Sequence, residues 1–193
     1  PEVMQRVQSV VRAIEPHDSV ERFTSLGVHC VQGEARIVSP WEVEVDGRRI
    51  SARHIVIASG ARPRVPDIPG LQDIAYLTSD TVWELRDLPR RLLVLGAGPI
   101  GCELAQAFAA LGSEVTLVTH ASRIMPREDE DVSRCVEENF RCQGIEVITG
   151  AEPQQFTASP QPTCHLSLAG QGRNLVFDRV LLAVGRSANV EQL

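Results

Sequence analysis

Closely spaced cysteine pairs are missing from this 193-residue chain: its five cysteines, at 30, 102, 135, 142 and 164, form neither Cys-x-x-Cys nor Cys-x4-Cys. An odd count in an acidic chain fits reduced, buried thiols of a cytoplasmic protein rather than a disulfide framework. Cys135 and Cys142, seven apart, are expected two turns apart on one helix face. No histidine or cysteine stands at ligand spacing from another, so no metal site is expected. No run approaches the roughly 18 apolar residues of a membrane helix. A basic excess is lacking too. The net charge of −6 leaves little to displace the counterions of a phosphate backbone, which excludes a general nucleic-acid binder. The local cluster Arg86, Arg90 and Arg91 reads as a solvated helix end. Of the five histidines (17, 29, 54, 120 and 165) only His120 has a positional argument, so no residue is assigned as catalytic acid, base or nucleophile. What is present is ordinary for a globular chain, with 43% hydrophobic and 23% charged residues, and it suffices for one large domain or two small ones. The chain opens Pro1-Glu2 in mid-pattern, without an initiator methionine or a signal-peptide pattern. It is expected to be an excised piece of something longer.

Periodicity divides the chain. Val3, Val7, Val10 and Ile14 recur at helical spacing until Pro16, which predicts one amphipathic helix. From residue 27 the period falls to two. The runs "VHCVQGEARIV", "WEVEVDGRRI" and "HIVIASG" predict a small antiparallel sheet with a hairpin at Asp46-Gly47, feeding a buried strand from His54 to Ser59. "GARPRVPDIPG", residues 60–70, holds three prolines and reads as a fixed crossover. Ser79 or Asp80 is expected to cap a short helix through Leu85, with a domain boundary near residue 90. Two βα units follow: strand 92–95, helix 99–111, strand 115–118, helix 129–142 and strand 145–148. Weaker strands are expected around 164–168 and 174–177, and a last apolar strand, "DRVLLAVG", ending at Gly185. Alternating β and α with apolar strands predicts an α/β, Rossmann-like domain with a parallel sheet covered on both faces.

The chemistry sits in "LLVLGAGPIGCELAQAFAALGSEVTLVTH", residues 92–120. Gly96, Gly98 and Gly101 satisfy G-x-G-x-x-G between a strand and a helix, the placement that binds a dinucleotide pyrophosphate at a helix N-terminus. The second strand of such a unit normally ends in an acid that bonds the ribose hydroxyls and repels a 2′-phosphate. Here it ends Val118-Thr119-His120. Thr119 repels nothing, and His120, Arg123 and Arg127 offer partners to a 2′-phosphate. Glu128, Asp129, Glu130 and Asp131 oppose them, although acids also suit the first turn of the next helix. The balance leans slightly to NADPH over NADH.

These residues carry a resemblance. "IVIASGARPRVPDIPG", "VLGAGPIGCELAQAFAALGSEVTLV", "SRIMPREDEDV" and "VLLAVGRSAN" resemble, in order, four motifs of the pyridine nucleotide-disulfide oxidoreductases, the flavoenzyme family of glutathione reductase, dihydrolipoamide dehydrogenase and mercuric reductase. The third looks closest to the last two branches. The resemblance implies hydride transfer from NAD(P)H to FAD and on to a disulfide, thiol or metal acceptor. It implies a partial FAD-domain segment over 1–90, an NAD(P)-binding domain over 91–186, and a return to the FAD domain over 187–193. By the same analogy Gly96, Gly98 and Gly101 hold the pyrophosphate, and Pro99 and Ile100 line the nicotinamide approach. Glu103 lies near the nicotinamide–flavin contact, Thr119 and His120 face the adenosine ribose, and Gly185 meets the nicotinamide side. Gly33, Ala35, Ser59 and Gly60 touch FAD. Pro99 stands where glutathione reductase-like members carry tyrosine, so gating by an aromatic ring is not implied.

The family's first glycine motif, redox cysteines and dimer domain are absent from this sequence. The chain is therefore expected to be monomeric although its parent is a homodimer, to hold FAD only loosely, and to be inactive alone. Parents resembling dihydrolipoamide dehydrogenase, mercuric reductase, soluble transhydrogenase or a flavin-linked NAD(P)H oxidase all stay open. A regulatory dinucleotide-sensing module is the alternative from another class. No DNA-binding helix or basic face supports it. A stand-alone nicotinamide dehydrogenase would need a Ser-Tyr-Lys or His-Asp set, which is missing.

Overall fold

The computed structural model describes residues 2–191 and 193, which form two compact units: residues 2–62 with 188–191 and 193, and residues 63–187. Pro1 and Gln192, which fall in the expected segments 1–90 and 187–193, lie outside the described residues.

In the first unit the helical stripe gives α1, Glu2–Ile14, and Pro16 turns its end into a single 3-10 turn. α2, Val20–Ser25, begins where the Ser19 hydroxyl accepts from the Arg22 amide at 3.2 Å, the usual N-cap arrangement. Three strands form an antiparallel meander: β1 (Ala35–Ser39), β2 (Glu42–Val45) and β3 (Arg48–Ser51). Asp46 and Gly47 join β2 to β3 with φ of +49° and +80°, the paired left-handed residues that a two-residue hairpin requires. The buried strand expected from His54 to Ser59 is not formed. Val56 is 87% exposed there, and the segment has no strand pairing. An apolar run becomes a strand only where a neighbour takes up its backbone hydrogen bonds. The segment's end is instead held by Asn189, whose amide bonds the Gly60 carbonyl and whose side chain bonds that of Ser59, each at 3.0 Å. A short strand, β4 (Ala61–Pro63), carries the chain into the second unit.

The second unit runs β5 (Tyr76–Thr78), β6 (Arg91–Leu95), α3 (Pro99–Ala110), β7 (Glu114–Val118), α4 (Glu130–Cys142) and β8 (Glu146–Ile148). It continues with β9 (Ala151–Thr157), β10 (Thr163–Leu168), β11 (Gln171–Val176) and β12 (Arg179–Leu182), and the short β13 (Arg186–Ala188) leads out of it, its last residue counted with the first unit. Its centre is a parallel sheet in the order β5-β12-β6-β7-β8. The expected α/β architecture with a parallel sheet and a small antiparallel one is thus present. α3 packs on β6 and β7, and α4 on β8. β6 and β12 read as unbroken apolar runs because strands in such a sheet are buried on both faces. Leu92 to Leu95 and Val180 to Leu182 are all nearly inaccessible.

A second antiparallel sheet, β11-β10-β9, closes the core with Phe156 and Cys164. Phe156 and Phe177 meet edge to face with centroids 5.9 Å apart, and each buried ring contributes about 1.5–3 kcal/mol. Residues 63–90, expected with the amino-terminal segment, belong to this unit: β5 pairs with β12, Leu71 and Ile74 join the core, and the Pro69 carbonyl accepts from the Phe156 amide at 2.8 Å. The helix expected from Ser79 or Asp80 to Leu85 is one 3-10 turn, Val82–Glu84. Thr78 and Thr81 explain it. Their hydroxyls accept the amides of residues 78, 80 and 81 at 3.0–3.3 Å and so close a turn before a helix begins. Among the described residues no helix is long and apolar enough to cross a membrane, and no three metal-ligating side chains cluster.

Candidate functional site

From β6 the chain winds outward through β7 to β8, then returns to β12 on the other side of β6. That reversal makes the carboxyl ends of β6 and β12 a topological switch point, where open α/β sheets bind ligands. A cavity of about 890 Å³ opens there, lined entirely by the second unit. Gly96, Gly98, Pro99, Ile100, Thr119, His120 and Gly185 all line it.

The three glycines differ in what encloses them. Gly96 has φ of +102°, and a Cβ on it would run into the Ala183 carbonyl. Its amide donates to the Val118 carbonyl at 2.8 Å, while the Ala183 amide donates to that of Leu95 at 2.7 Å. Gly101, buried in α3, would drive a Cβ into the Gly96 carbonyl oxygen and within 3.3 Å of the Ala183 Cβ. Gly98 is the opposite case: nothing lies within 4 Å of where its Cβ would stand. It caps α3 in ordinary extended geometry, with Pro99 at the first helical position. Proline there forfeits only an amide that has no helical partner. The Ile100 and Gly101 amides likewise have no acceptor inside the helix, and with the positive end of the helix dipole such amides favour an anion. The open space at Gly98 beside these amides fits a pyrophosphate.

Thr119 ends β7 and is 6% exposed. Its amide donates to the Ile148 carbonyl at 2.9 Å, and its hydroxyl oxygen accepts from the Ala121 amide at 3.2 Å. The hydroxyl proton is left to donate. His120, Arg127 and Glu128 are exposed at this end of the cavity. Gly185, with φ of +108°, accepts from the Arg64 amide at 2.9 Å at the other end. Arg123 does not line the cavity, because its guanidinium turns back into its own loop. Glu103 is exposed on α3 and also stands outside the lining.

Gly33, Ala35, Ser59 and Gly60 belong to the first unit and are exposed. A Cβ on Gly33 would meet the Asp46 side chain and Val45, and Ala35 opens β1 opposite Val45.

Three polar lining residues had no site role in the sequence: Arg64, Ser79 and Arg186. Arg186 donates to the Ser79 hydroxyl at 2.9 Å and pairs with Asp80 at 3.2 Å. Arg64 and Arg186 both sit in quoted motifs, so the signal was present without a role attached. The cysteines are only partly as expected. Cys102 and Cys164 are buried, but Cys135 and Cys142 are exposed on α4. Burial pushes the Cys102 thiol up to about 11 and the Cys164 thiol up to about 12, so neither supplies a thiolate near neutrality.

The model of the family described as pyridine nucleotide-disulphide oxidoreductase matches residues 4–193. Mercuric reductase of Staphylococcus aureus is 33% identical over the whole chain, which spans 35% of that protein. Dihydrolipoyl dehydrogenase of Mycoplasma pneumoniae is 36% identical over 89% of the chain and 38% of its own length. Among solved structures, the HOCl-induced flavoprotein disulfide reductase RclA of Escherichia coli superposes with a TM-score of 0.82 at 30% identity, over all of this chain and 44% of that one. The chain thus spans between a third and a half of the length of these three relatives.

Proposed function

Because this chain belongs to the pyridine nucleotide-disulphide oxidoreductase family, we propose that the cleft of the second unit holds the pyridine nucleotide, within a parent that reduces a disulfide, thiol or metal acceptor through FAD. The observation that carries this reading is the open space at Gly98, beside the first-turn amides of α3 and at the switch point between β6 and β12. The pyrophosphate is assigned to Gly96, Gly98 and Gly101, of which Gly96 shapes the turn and Gly101 lets α3 sit close upon it. Thr119 bonds a ribose hydroxyl of the adenosine through its free proton, and His120 stands beside it. Pro99, Ile100 and Gly185 line the nicotinamide half. Glu103, outside the lining, is assigned to the flavin side of the nicotinamide rather than to nucleotide contacts. Gly33, Ala35, Ser59 and Gly60 are the first unit's candidates for FAD contact. When bound, the nicotinamide supplies the hydride that the flavin accepts. The residues of this chain contribute binding, orientation and electrostatics, and none is assigned as a catalytic acid, base or nucleophile.

The cleft accepts NADPH in preference to NADH. Thr119 carries no charge against a 2′-phosphate, and His120 and Arg127 stand at that rim, with Glu128 opposing them. Calorimetric titration with both nucleotides, at low and moderate salt, is the test. Tighter NADPH binding that weakens with salt, and a preference erased by His120→Ala, is the expected result. Equal or NADH-favouring affinity would remove the preference. Binding of neither would remove the reading.

A further inference from the structure

The loop between β7 and α4 is held by one cation. Arg123 donates to the carbonyls of Met125 (3.2 Å), Pro126 (3.0 Å) and Glu128 (2.8 Å), and to the hydroxyl of Ser133. Ser133 is 2% exposed on α4, and its hydroxyl contacts the carbonyl oxygens of Ile124 at 2.8 Å and Met125 at 3.2 Å. The loop needs this support, because Met125 is held at φ of +47°, a conformation unfavourable for a side-chain-bearing residue. The same Met125 donates its amide to the Ala97 carbonyl at 2.7 Å. Ala97 lies between Gly96 and Gly98 in the glycine turn. Met125, Pro126, Arg127 and Glu128 all line the cleft. A guanidinium has five N–H donors in a rigid plane, and here four acceptors already surround it.

From this geometry we propose that Arg123 is a positioning residue of the nucleotide site. It clamps residues 124–128 to Ser133 and, through Met125, to the glycine turn, so that the adenosine rim and the phosphate turn form one rigid surface. It does not touch the nucleotide. The proposal rests on the dinucleotide reading above.

The test uses the 193-residue chain, with Arg123→Gln removing the fork and Arg123→Lys keeping the charge with fewer donors. Ser133→Ala approaches the clamp from α4. Hydrogen exchange over residues 121–129 reads the loop without a ligand, and titration with NADPH and with NADH reads the site. Exchange in the loop should rise about tenfold or more in Arg123→Gln, while the amides of β6 and β12 keep their protection. Affinity for both nucleotides should fall by about tenfold together, with Arg123→Lys and Ser133→Ala intermediate. Three results would overturn the role: unchanged loop exchange, faster exchange with unchanged affinity, or a loss confined to NADPH, which would make Arg123 a direct phosphate ligand. A wild-type chain that binds neither nucleotide overturns the dinucleotide reading and this role with it. The loop exchange then still tells whether the clamp exists.

Discussion

Gly98→Ala and Gly101→Ala, two changes of one methyl group in the same motif, should fail in opposite ways. At Gly101 the new Cβ runs into the backbone carbonyl of Gly96 and presses to 3.3 Å from the Ala183 Cβ. Neither is a flexible side-chain end, so α3 must lift from the turn. Overpacking of this kind costs about 1–3 kcal/mol, and the severity of the backbone clash places it at the upper end. Alanine returns about 1 kcal/mol of helix propensity. The net loss is about 2 kcal/mol, a fall in Tm of roughly 8 °C for a unit of this size. At Gly98 the new methyl meets nothing within 4 Å, and φ of −78° suits alanine. Losing glycine at the N-cap costs about 0.5–1 kcal/mol. A stiffer unfolded chain returns about 0.4–1 kcal/mol, so the stability change is near zero.

Binding reverses the order. Under the proposed function, a methyl at Gly98 stands where the pyrophosphate would approach the helix amides, and the loss of one charge-assisted hydrogen bond is worth about 1.5–3 kcal/mol, roughly ten- to a hundredfold in Kd. Thermal unfolding followed by calorimetric titration at a temperature where both variants are folded separates the two effects. A Gly98→Ala chain with wild-type Tm and wild-type affinity for NADPH and NADH would refute the placement of the phosphates. A Gly101→Ala chain of unchanged Tm would refute the close-packing argument for that glycine.

Two further results follow from the same structure. Asp178 accepts from the Arg91 amide at 2.8 Å and from its guanidinium at 2.7 Å, and the hydrogen bonds from the Arg91 side chain and backbone hold its carboxyl below the usual range. A depressed pKa means the stabilisation is complete above the unfolded value of about 3.9 and fades as pH falls through the folded value. Asp178→Asn should therefore cost about 1–2 kcal/mol at pH 7, with the gap to wild type closing below about pH 4; a gap constant down to pH 2 in urea titrations would contradict the ion-pair account. Alkylation at pH 8 should label exposed Cys135 and Cys142 while sparing Cys102 and Cys164 until urea unfolds the chain. Mass spectrometry showing early modification of Cys164 would mean the β9–β11 sheet opens in the native state.

Legibility in the sequence followed the range of the interaction. The Leu92–Leu95 run, the glycine turn and the Asp46-Gly47 hairpin are local signals, and each produced the element it predicts. The His54–Ser59 run carried the same kind of signal and formed nothing, because a strand also needs a neighbour that no local pattern reveals. β9 was missed for the converse reason. "AEPQQFT" contains a proline and few apolar residues, yet β10 pairs it into the sheet and buries Ala151 and Phe156. The Asp178–Arg91 pair joins residues 87 apart, a separation that no local pattern spans. Gly96, Gly98, Thr119 and His120 line the cleft at the end of β6 and β7, while Gly101 lies buried behind the turn.

The charge at the adenosine rim was harder to read, and Arg123 shows why. Counted in sequence, the loop offers His120, Arg123 and Arg127 against four consecutive acids from Glu128, and the sum gives no clear sign. The fold removes members from both sides of that sum. Arg123 turns inward onto carbonyls, while Glu130 and Asp131 enter the first turn of α4 behind Asp129 at its cap, where the helix dipole favours them. His120 and Arg127 remain at the rim against Glu128 alone. Thr119 does not decide the matter, because its hydroxyl oxygen is already engaged by the Ala121 amide and offers a ribose only a proton. Under the dinucleotide reading proposed above, discrimination between the nucleotides would belong to three loop side chains rather than to the strand end. Arg127→Ala should then lower NADPH affinity and leave NADH unchanged, and Glu128→Ala should tighten NADPH. If neither variant shifts the ratio of the two affinities, the rim charges do not read the 2′ position.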